Sequence, residues 1–451
     1  MKNLIEKYNV PVPRYTSYPT VPNWKEAQFD SNIYLSQIKQ GFEKANETGL
    51  ALYIHLPFCE SLCTYCGCNT RITVNHSVER PYIETLIKEW KLYLALFGEK
   101  PKIREIHLGG GTPTFFTPEN LAYLIDSILA LADVSQDASF SFEAHPNNTT
   151  DAHLQMLFDR GFDRLSLGVQ DFDPVVQKAI NRRQTPEDVQ RVTAKARTIG
   201  YRSINYDLVY GLPFQTMEGV MDAVDKVIAL RPNRIAFYSY AHVPWKRPGQ
   251  RAYSEADLPD PETKSQLFMN GRDKLLHAGY QSIGFDHFAL TSDSLYGAYK
   301  HARIHRNFMG YTDLRTSYLI GLGVSSISDI GSAFAQNAKT VEAYRAAVDR
   351  GEFPIIKGHL LDREEMYIRK HILRLICRHR TSWADASFDE SQYMHRCLEK
   401  LVGAEADGLV LIGDEEVEIT MRGRLFVRNI CAAFDRDYVS GIAERKFSMA
   451  V

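Results

Sequence analysis

The chain has 451 residues, 44% hydrophobic and 24% charged, an ordinary globular composition with room for one large domain and smaller appendages. Its 53 Lys and Arg nearly balance 55 Asp and Glu, so no overall field selects nucleic acid or an anionic membrane, and anion recognition must be local. No run of about 18 apolar residues occurs, and Met1 to Tyr8 carries charges where a secretion signal needs apolar residues, so a cytoplasmic protein without a membrane span is expected.

Residues 1–48 read as an arm. Pro11, Pro13, Pro19 and Pro22 predict extended backbone around the compact string Arg14 to Thr20, and Phe29 to Ala45 carries apolar residues at loosely helical spacing. From Ala51 onward, strand-like runs recur at Leu52–Ile54, Ile103–Leu108, Phe140–Glu143, Arg164–Gly168, Ile204–Leu208 and Ile235–Tyr238. Between them Tyr82–Phe97, Leu121–Leu131, Val189–Ile199 and Val220–Leu230 place apolar residues three and four apart. This alternation predicts an α/β fold with a parallel sheet, and six such units without a composition break suit a partial (β/α)6 TIM-like barrel over residues 49–357. Residues 358–451 read as a separate, small and mainly helical C-terminal domain: Leu361–Cys377 is a charged amphipathic helix, and Leu409–Ile412, Val417–Ile419 and a helix from Gly423 resemble a winged-helix arrangement. Arg422, Arg424 and Arg428 are offset there by Glu415, Glu416 and Glu418, which argues against nucleic acid as a partner.

Four of the seven cysteines, Cys59, Cys63, Cys66 and Cys68, fall within ten residues directly after the first strand. Soft thiolates so closely spaced suit an iron-sulfur cluster; four of them also suit a structural zinc, although zinc usually draws on two separated pairs and no second pair exists. A cluster held by three thiolates leaves one iron open to an amine and a carboxylate. Cys377, Cys397 and Cys431 stand far apart and read as small buried hydrophobes. Gly109-Gly110-Gly111-Thr112-Pro113 follows the second strand and lets backbone approach a ligand closely. Glu143, Gln170 and Asp207 stand at or near the ends of later strands, and the C-terminal face of the strands is where barrels of this kind build their sites. Further on, His301 to Phe308 concentrates Arg303, His305 and Arg306 beside an aromatic, a solvated face or a partner for ligand carboxylates.

The loop Cys59-x3-Cys63-x2-Cys66 resembles that of the radical S-adenosylmethionine enzymes. The Arg14 to Thr20 string, Cys66-Gly67-Cys68-Asn69, Gly168 to Phe172, Tyr206 to Pro213, Asp286-His287-Phe288 and Asn429-Ile430-Cys431 are similar to the oxygen-independent coproporphyrinogen III oxidase (dehydrogenase) family over almost the whole chain. The resemblance implies a 4Fe-4S cluster on Cys59, Cys63 and Cys66, with Cys68 outside the ligand set. It implies two S-adenosylmethionine molecules, the first contacted by Tyr53, Gly110, Glu143 and Ile327, the second by Tyr65, Gly111, Thr112, Gln170, Arg182, Asp207 and Ala241. It implies that a 5′-deoxyadenosyl radical takes a hydrogen from a propionate of coproporphyrinogen III, that carbon dioxide and an electron leave, and that two rounds give protoporphyrinogen IX. Arg14, Arg303, His305 and Arg306 are the candidates to hold the substrate's carboxylates, with Glu143 the acid in the site and the arm closing over it. A low-potential donor such as flavodoxin or ferredoxin would supply electrons; no self-complementary segment is evident, and a monomer is expected. Two other readings use the same resemblance: a haem chaperone, whose relatives generally lack the Cys-Gly-Cys extension, and a paralogue acting on another tetrapyrrole. The chain departs from the family at His145 and Asn147, where Asp and Arg are usual, and at Phe285, where methionine is usual.

Overall fold

The computed structural model describes residues 2–384, 387–439, 447, 449 and 450. These residues cluster into two compact units: Lys25–Asp207 with Thr316–Leu360, and Met1–Trp24 with Leu208–Arg315 and Leu361–Val451.

In the first unit Leu50–Leu56 is the central strand, buried at all but one position because its run of aliphatic residues meets neighbours on both sides. It pairs in parallel with Lys102–Gly110 and with Leu319–Leu322, and the parallel series continues through Asp133–Ala144 to Phe162–Gln170. The helices between these strands begin where the chain offers a threonine acceptor. Thr117, Thr150 and Thr185 each accept the backbone N–H three residues on, ahead of Pro118–Leu129, Asp151–Phe158 and Pro186–Ile199. The helix Glu79–Phe97 lays Tyr82, Leu86, Trp90, Tyr93 and Phe97 inward and stops at Gly98 in the left-handed conformation. Helix Ser31–Thr48 packs Phe42 against Phe97, rings stacked at 4.1 Å; burying such a side chain contributes about 1.5–3 kcal/mol. Past Leu319–Leu322 the sheet turns antiparallel through Ile327–Asp329, Ala333–Asn337 and Ile355–Leu360. These strands run three to six residues, too short for a clear period in the sequence.

Strand Ser203–Tyr210 begins among the residues of the first unit and ends among those of the second. In the second unit, helix Met217–Leu230 leads to Arg234–Ser239, which pairs antiparallel with His287–Leu290, itself antiparallel to Tyr280–Ile283. Helices Arg363–Arg378 and Phe388–Ala406 accompany a three-stranded antiparallel sheet of Arg380–Ser382, Glu416–Ile419 and Val410–Ile412. The start of the arm is not wholly extended: Lys2–Tyr8 is helical, and Leu4, Ile5, Val12, Tyr15 and Tyr18 join the core formed with the C-terminal helices. Arg428 fastens this arrangement. Its guanidinium donates to the carbonyls of Val12, Pro13, Met449 and Ala450, and Pro11 bridges Met449. Among the described residues no helix is long and apolar enough to cross a membrane.

Candidate active site

The strand Leu50–Leu56 runs on through Pro57 into Phe58–Cys59, which pairs in parallel with Arg71–Ile72. Arg71 N–H donates to Pro57 O at 2.8 Å and Thr73 N–H to Cys59 O at 2.9 Å, so the cysteine loop is closed at its base. Its flank docks on the turn after Pro174–Ala179: Thr64 donates through N–H to Ile180 O and through its hydroxyl to Ala179 O, both at 3.0 Å, and the Asn181 amide reaches Leu62 O at 2.8 Å. Cys59, Cys63 and Cys66 are half-buried and Cys68 is exposed. Cys59 Sγ lies 3.3 Å from Thr112 Oγ1, Cys63 Sγ 3.8 Å from Arg182 Nη1, and Cys66 Sγ accepts Cys68 N–H at 3.4 Å.

Among the described residues no three ligand-type side chains converge on a point that one metal ion would occupy. Three half-buried soft donors on one clamped loop match a cluster of several iron atoms by their own chemistry. Burial pushes the Cys59 thiol up to about 11, so a cationic group is what would hold it as thiolate, and the Arg182 charge beside Cys63 favours a cluster of net negative charge. The residues fit the group.

All three glycines of the following turn have packing reasons inside the protein. A Cβ on Gly111 would stand 2.6 Å from Pro57 O, one on Gly110 2.6 Å from the His55 ring, and one on Gly109 3.1 Å from both Glu143 and Tyr53. In the sequence these glycines predict close ligand approach; in the structure they first allow the second strand to lie against the root of the cysteine loop. Gly111 N–H donates to Leu56 O and Thr112 N–H to Phe58 O, at 2.8 and 3.0 Å.

Glu143 accepts Gly110 N–H at 3.2 Å and His107 Nε2–H at 3.4 Å. Burial acts to raise its pKa, but these two bonds and the nearby imidazoles outweigh it and hold the carboxyl below its usual range. Its side chain stays 43% exposed, leaving lone pairs for a ligand's donors. His55 Nε2 faces the Asn69 carbonyl at 2.9 Å; a carbonyl only accepts, so this nitrogen carries the proton and Nδ1 accepts the Tyr53 hydroxyl at 3.0 Å. Burial keeps His55 neutral, and His55 thereby ties the loop after the cysteines to Tyr53.

Gln170 has φ 65°, and Arg182 turns back to donate to Gly168 O. A Cβ on Gly168 would meet both side chains within 2.8 Å, which explains the glycine. Asp207 accepts the Ser166 hydroxyl at 3.0 Å and the Asn205 amide at 2.9 Å. Ile327 is half-buried at the start of its strand, its carbonyl 2.6 Å from where a Gly321 Cβ would be. Tyr65 is half-buried on the cysteine loop.

The remaining candidates belong to the other unit. Ala241 O accepts the Gln250 amide at 3.2 Å. Arg14 and Arg306 line one cavity with Asp286 and Arg428, whereas Arg303 is exposed and neither it nor His305 lines that cavity. Sequence reasoning passed over His107, Ser166 and Asn205, each alternating with a recognised site residue on the same strand face, and that two-residue spacing was the available signal. It also missed Glu89, buried on the inner face of Glu79–Phe97, where it accepts Gly323 N–H at 2.8 Å, the Asn337 amide at 2.6 Å and the Tyr344 hydroxyl at 2.6 Å.

A family model described as the radical SAM superfamily matches residues 53–227. The oxygen-independent coproporphyrinogen III oxidase of Pseudomonas aeruginosa is 37% identical over 100% of this chain and 98% of its own, and that of Helicobacter pylori 39% identical over 98% and 97%. The solved coproporphyrinogen III oxidase of Escherichia coli, a radical SAM enzyme, superposes with a TM-score of 0.87 at 35% identity, covering 97% of this chain and 98% of that one. With a partial barrel whose first strand runs into a clamped three-thiol loop, and relatives this similar from end to end, the chain belongs to the oxygen-independent coproporphyrinogen III oxidase family of the radical SAM superfamily.

Proposed function

We propose that this enzyme converts two propionate side chains of coproporphyrinogen III to vinyl groups without oxygen, giving protoporphyrinogen IX. The observation that carries the reading is the clamped loop of three half-buried thiols in a chain similar to this family over its whole length. In each round a hydrogen atom leaves the carbon β to the carboxylate, carbon dioxide departs, and one electron passes to an acceptor. When bound, a 4Fe-4S cluster and S-adenosylmethionine supply a low-potential electron and a carbon-centred radical able to take that hydrogen.

Cys59, Cys63 and Cys66 hold the cluster in this reading. Tyr53, Gly110, Glu143 and Ile327 contact a first S-adenosylmethionine, where the Glu143 carboxylate, kept ionised, accepts from amine or hydroxyl donors. Tyr65, Gly111, Thr112, Gln170, Arg182, Asp207 and Ala241 contact a second; the proximity of Thr112 to Cys59 and of Arg182 to Cys63 supports placing it near the loop. Electrons come from a low-potential donor such as flavodoxin or ferredoxin, and the enzyme works as a cytoplasmic monomer. The exposed Cys68 stays outside the ligand set.

The test is anaerobic reconstitution followed by S-adenosylmethionine, a strong reductant and coproporphyrinogen III, with porphyrins and 5′-deoxyadenosine separated by chromatography. The expected result is the divinyl product, lost in Cys63→Ala and retained in Cys68→Ala. Deoxyadenosine without decarboxylated product would point to a paralogue with another tetrapyrrole substrate. Stoichiometric haem uptake with neither product would point to a chaperone.

A further inference from the structure

The cavity of about 210 Å³ in the second unit is lined by Arg14, Arg306, Arg424 and Arg428, against Asp286 as the one carboxylate in its wall among the described residues. Arg428 is committed to backbone carbonyls, and Arg14 Nη2 donates to Ser239 O at 2.7 Å. Arg306 is different. Its side chain is 6% exposed, yet among the described residues its Nε–H and Nη1–H have no hydrogen-bond acceptor. Asp286 gives its close contact to His287, at 2.6 Å, and stands 3.6 Å from Arg306 Nη1, an ion pair beyond hydrogen-bond length. The guanidinium is held over the rings of Phe285 and Tyr311, 4.7 and 4.5 Å from their centroids, so it is fixed in place with donors unmet. A buried charged donor left unmet bears its full desolvation penalty, which an incoming acceptor recovers. The wall is crowded with positive charge: burial, then the charge of Arg14, lowers Arg428 to about 9, and burial, then Arg14 and Arg428, lowers nearby Lys264 to about 7.

We propose that this cavity is a carboxylate-binding site in which Arg306, through its unmet donors, and Arg14 beside it hold propionates of the tetrapyrrole; the assignment rests on the substrate reading above. It selects Arg14 and Arg306 over Arg303 and His305. It gives Phe285, where the family usually has methionine, the role of a ring supporting the guanidinium. Asp286 becomes an internal counter-ion, which keeps Arg306 from being wholly uncompensated before the ligand arrives.

The experiment is a fluorescence titration of the anaerobically reconstituted holoenzyme with coproporphyrin III, the oxidised counterpart carrying the same propionates, and with its tetramethyl ester. Arg306→Met should weaken binding of the acid about 10- to 100-fold, the worth of a charge-assisted hydrogen bond, and leave the ester unchanged. Asp286→Asn should tighten the acid several-fold by removing the competing anion. The double variant Arg306→Met with Asp286→Asn loses the pair together; it serves if the single change fails to fold, and should bind the acid as weakly. The assignment is overturned if Arg306→Met binds the acid within twofold of the parent, or if acid and ester weaken alike, the mark of lost packing. If the parent forms divinyl product while either result holds, the cavity assignment alone falls. If the parent neither binds the porphyrin nor forms product, the substrate reading falls and the assignment with it.

Discussion

Glu89 puts the balance between burial and hydrogen bonding to a quantitative test. Its fully buried carboxylate faces three donors from Gly323, Asn337 and Tyr344, which favour the charged form, yet burial dominates and raises the pKa from 4.5 to about 7. The unfolded chain releases this proton near 4.5, whereas the folded chain keeps it until about 7. The folded state therefore binds more protons across that window, and the stability this group contributes is complete below about 4.5, declines as pH rises, and is gone above about 7. At about 1.4 kcal/mol per pKa unit the decline amounts to ~3 kcal/mol. Glu89→Gln keeps the size and one carbonyl acceptor and removes the titration. Urea unfolding of parent and variant, followed by tryptophan fluorescence at about pH 5 and about pH 8, isolates the effect, because every other titrating group is common to both proteins and cancels in the difference. The parent should lose ~3 kcal/mol relative to the variant between the two conditions. A difference that is flat with pH, with the variant less stable at both, would mean that the donors hold the carboxylate ionised throughout, and the reasoning would be refuted.

Gly111→Ala places a methyl group 2.6 Å from the Pro57 carbonyl and 2.8 Å from that of Phe58, backbone that cannot move without moving Cys59. A loss of about 1–3 kcal/mol is expected, together with lower iron and sulfide content after reconstitution; unchanged cluster content would show that the turn does not position the loop. Arg234 pairs with Asp293 at 2.7 Å, side chains 5% and 1% exposed, and Asp313 lies 3.9 Å away. Arg234→Met removes the charge that compensates this buried carboxylate, although the carboxylate still accepts Leu295 N–H at 2.8 Å, and should cost about 3–5 kcal/mol in a denaturant melt, whereas the double change with Asp293→Asn should recover part of it.

The parallel strands and their helices were legible because each carries enough residues for its period to stand out, and all four helical runs named from Tyr82 to Leu230 lie within observed helices apart from the last two residues of Leu121–Leu131. The antiparallel strands from Ile327 to Leu360 were not, since three to six buried residues carry no distinguishable period. The cysteine loop is legible through the close spacing of its four cysteines directly after a strand. What its surroundings do was hidden, because Asn181, Asn69 and Thr64 act through backbone carbonyls and nothing in their identity announces it. Glu89 reads as a solvated charge in an amphipathic helix, although its place between Leu86 and Tyr93 put it on the apolar stripe. Arg303 and Arg306 look alike in the sequence; only the strand His305–Asn307 turns one inward and leaves the other outside.

The fastening of the arm by Arg428 bears on how the chain is made. Arg428 and its acceptor at Val12 are 416 residues apart. At a synthesis rate of roughly 5–20 residues per second, the arm waits about 20–80 s after leaving the ribosome before its partner exists. During that interval Val12, Tyr15 and Tyr18, buried in the finished protein, have no completed C-terminal core to enter. The wall that brings Arg14 and Arg428 together thus cannot be completed until residue 428 has been made, and a chain stalled before Arg428 would keep its clamped cysteine loop while its arginine cavity stayed unbuilt.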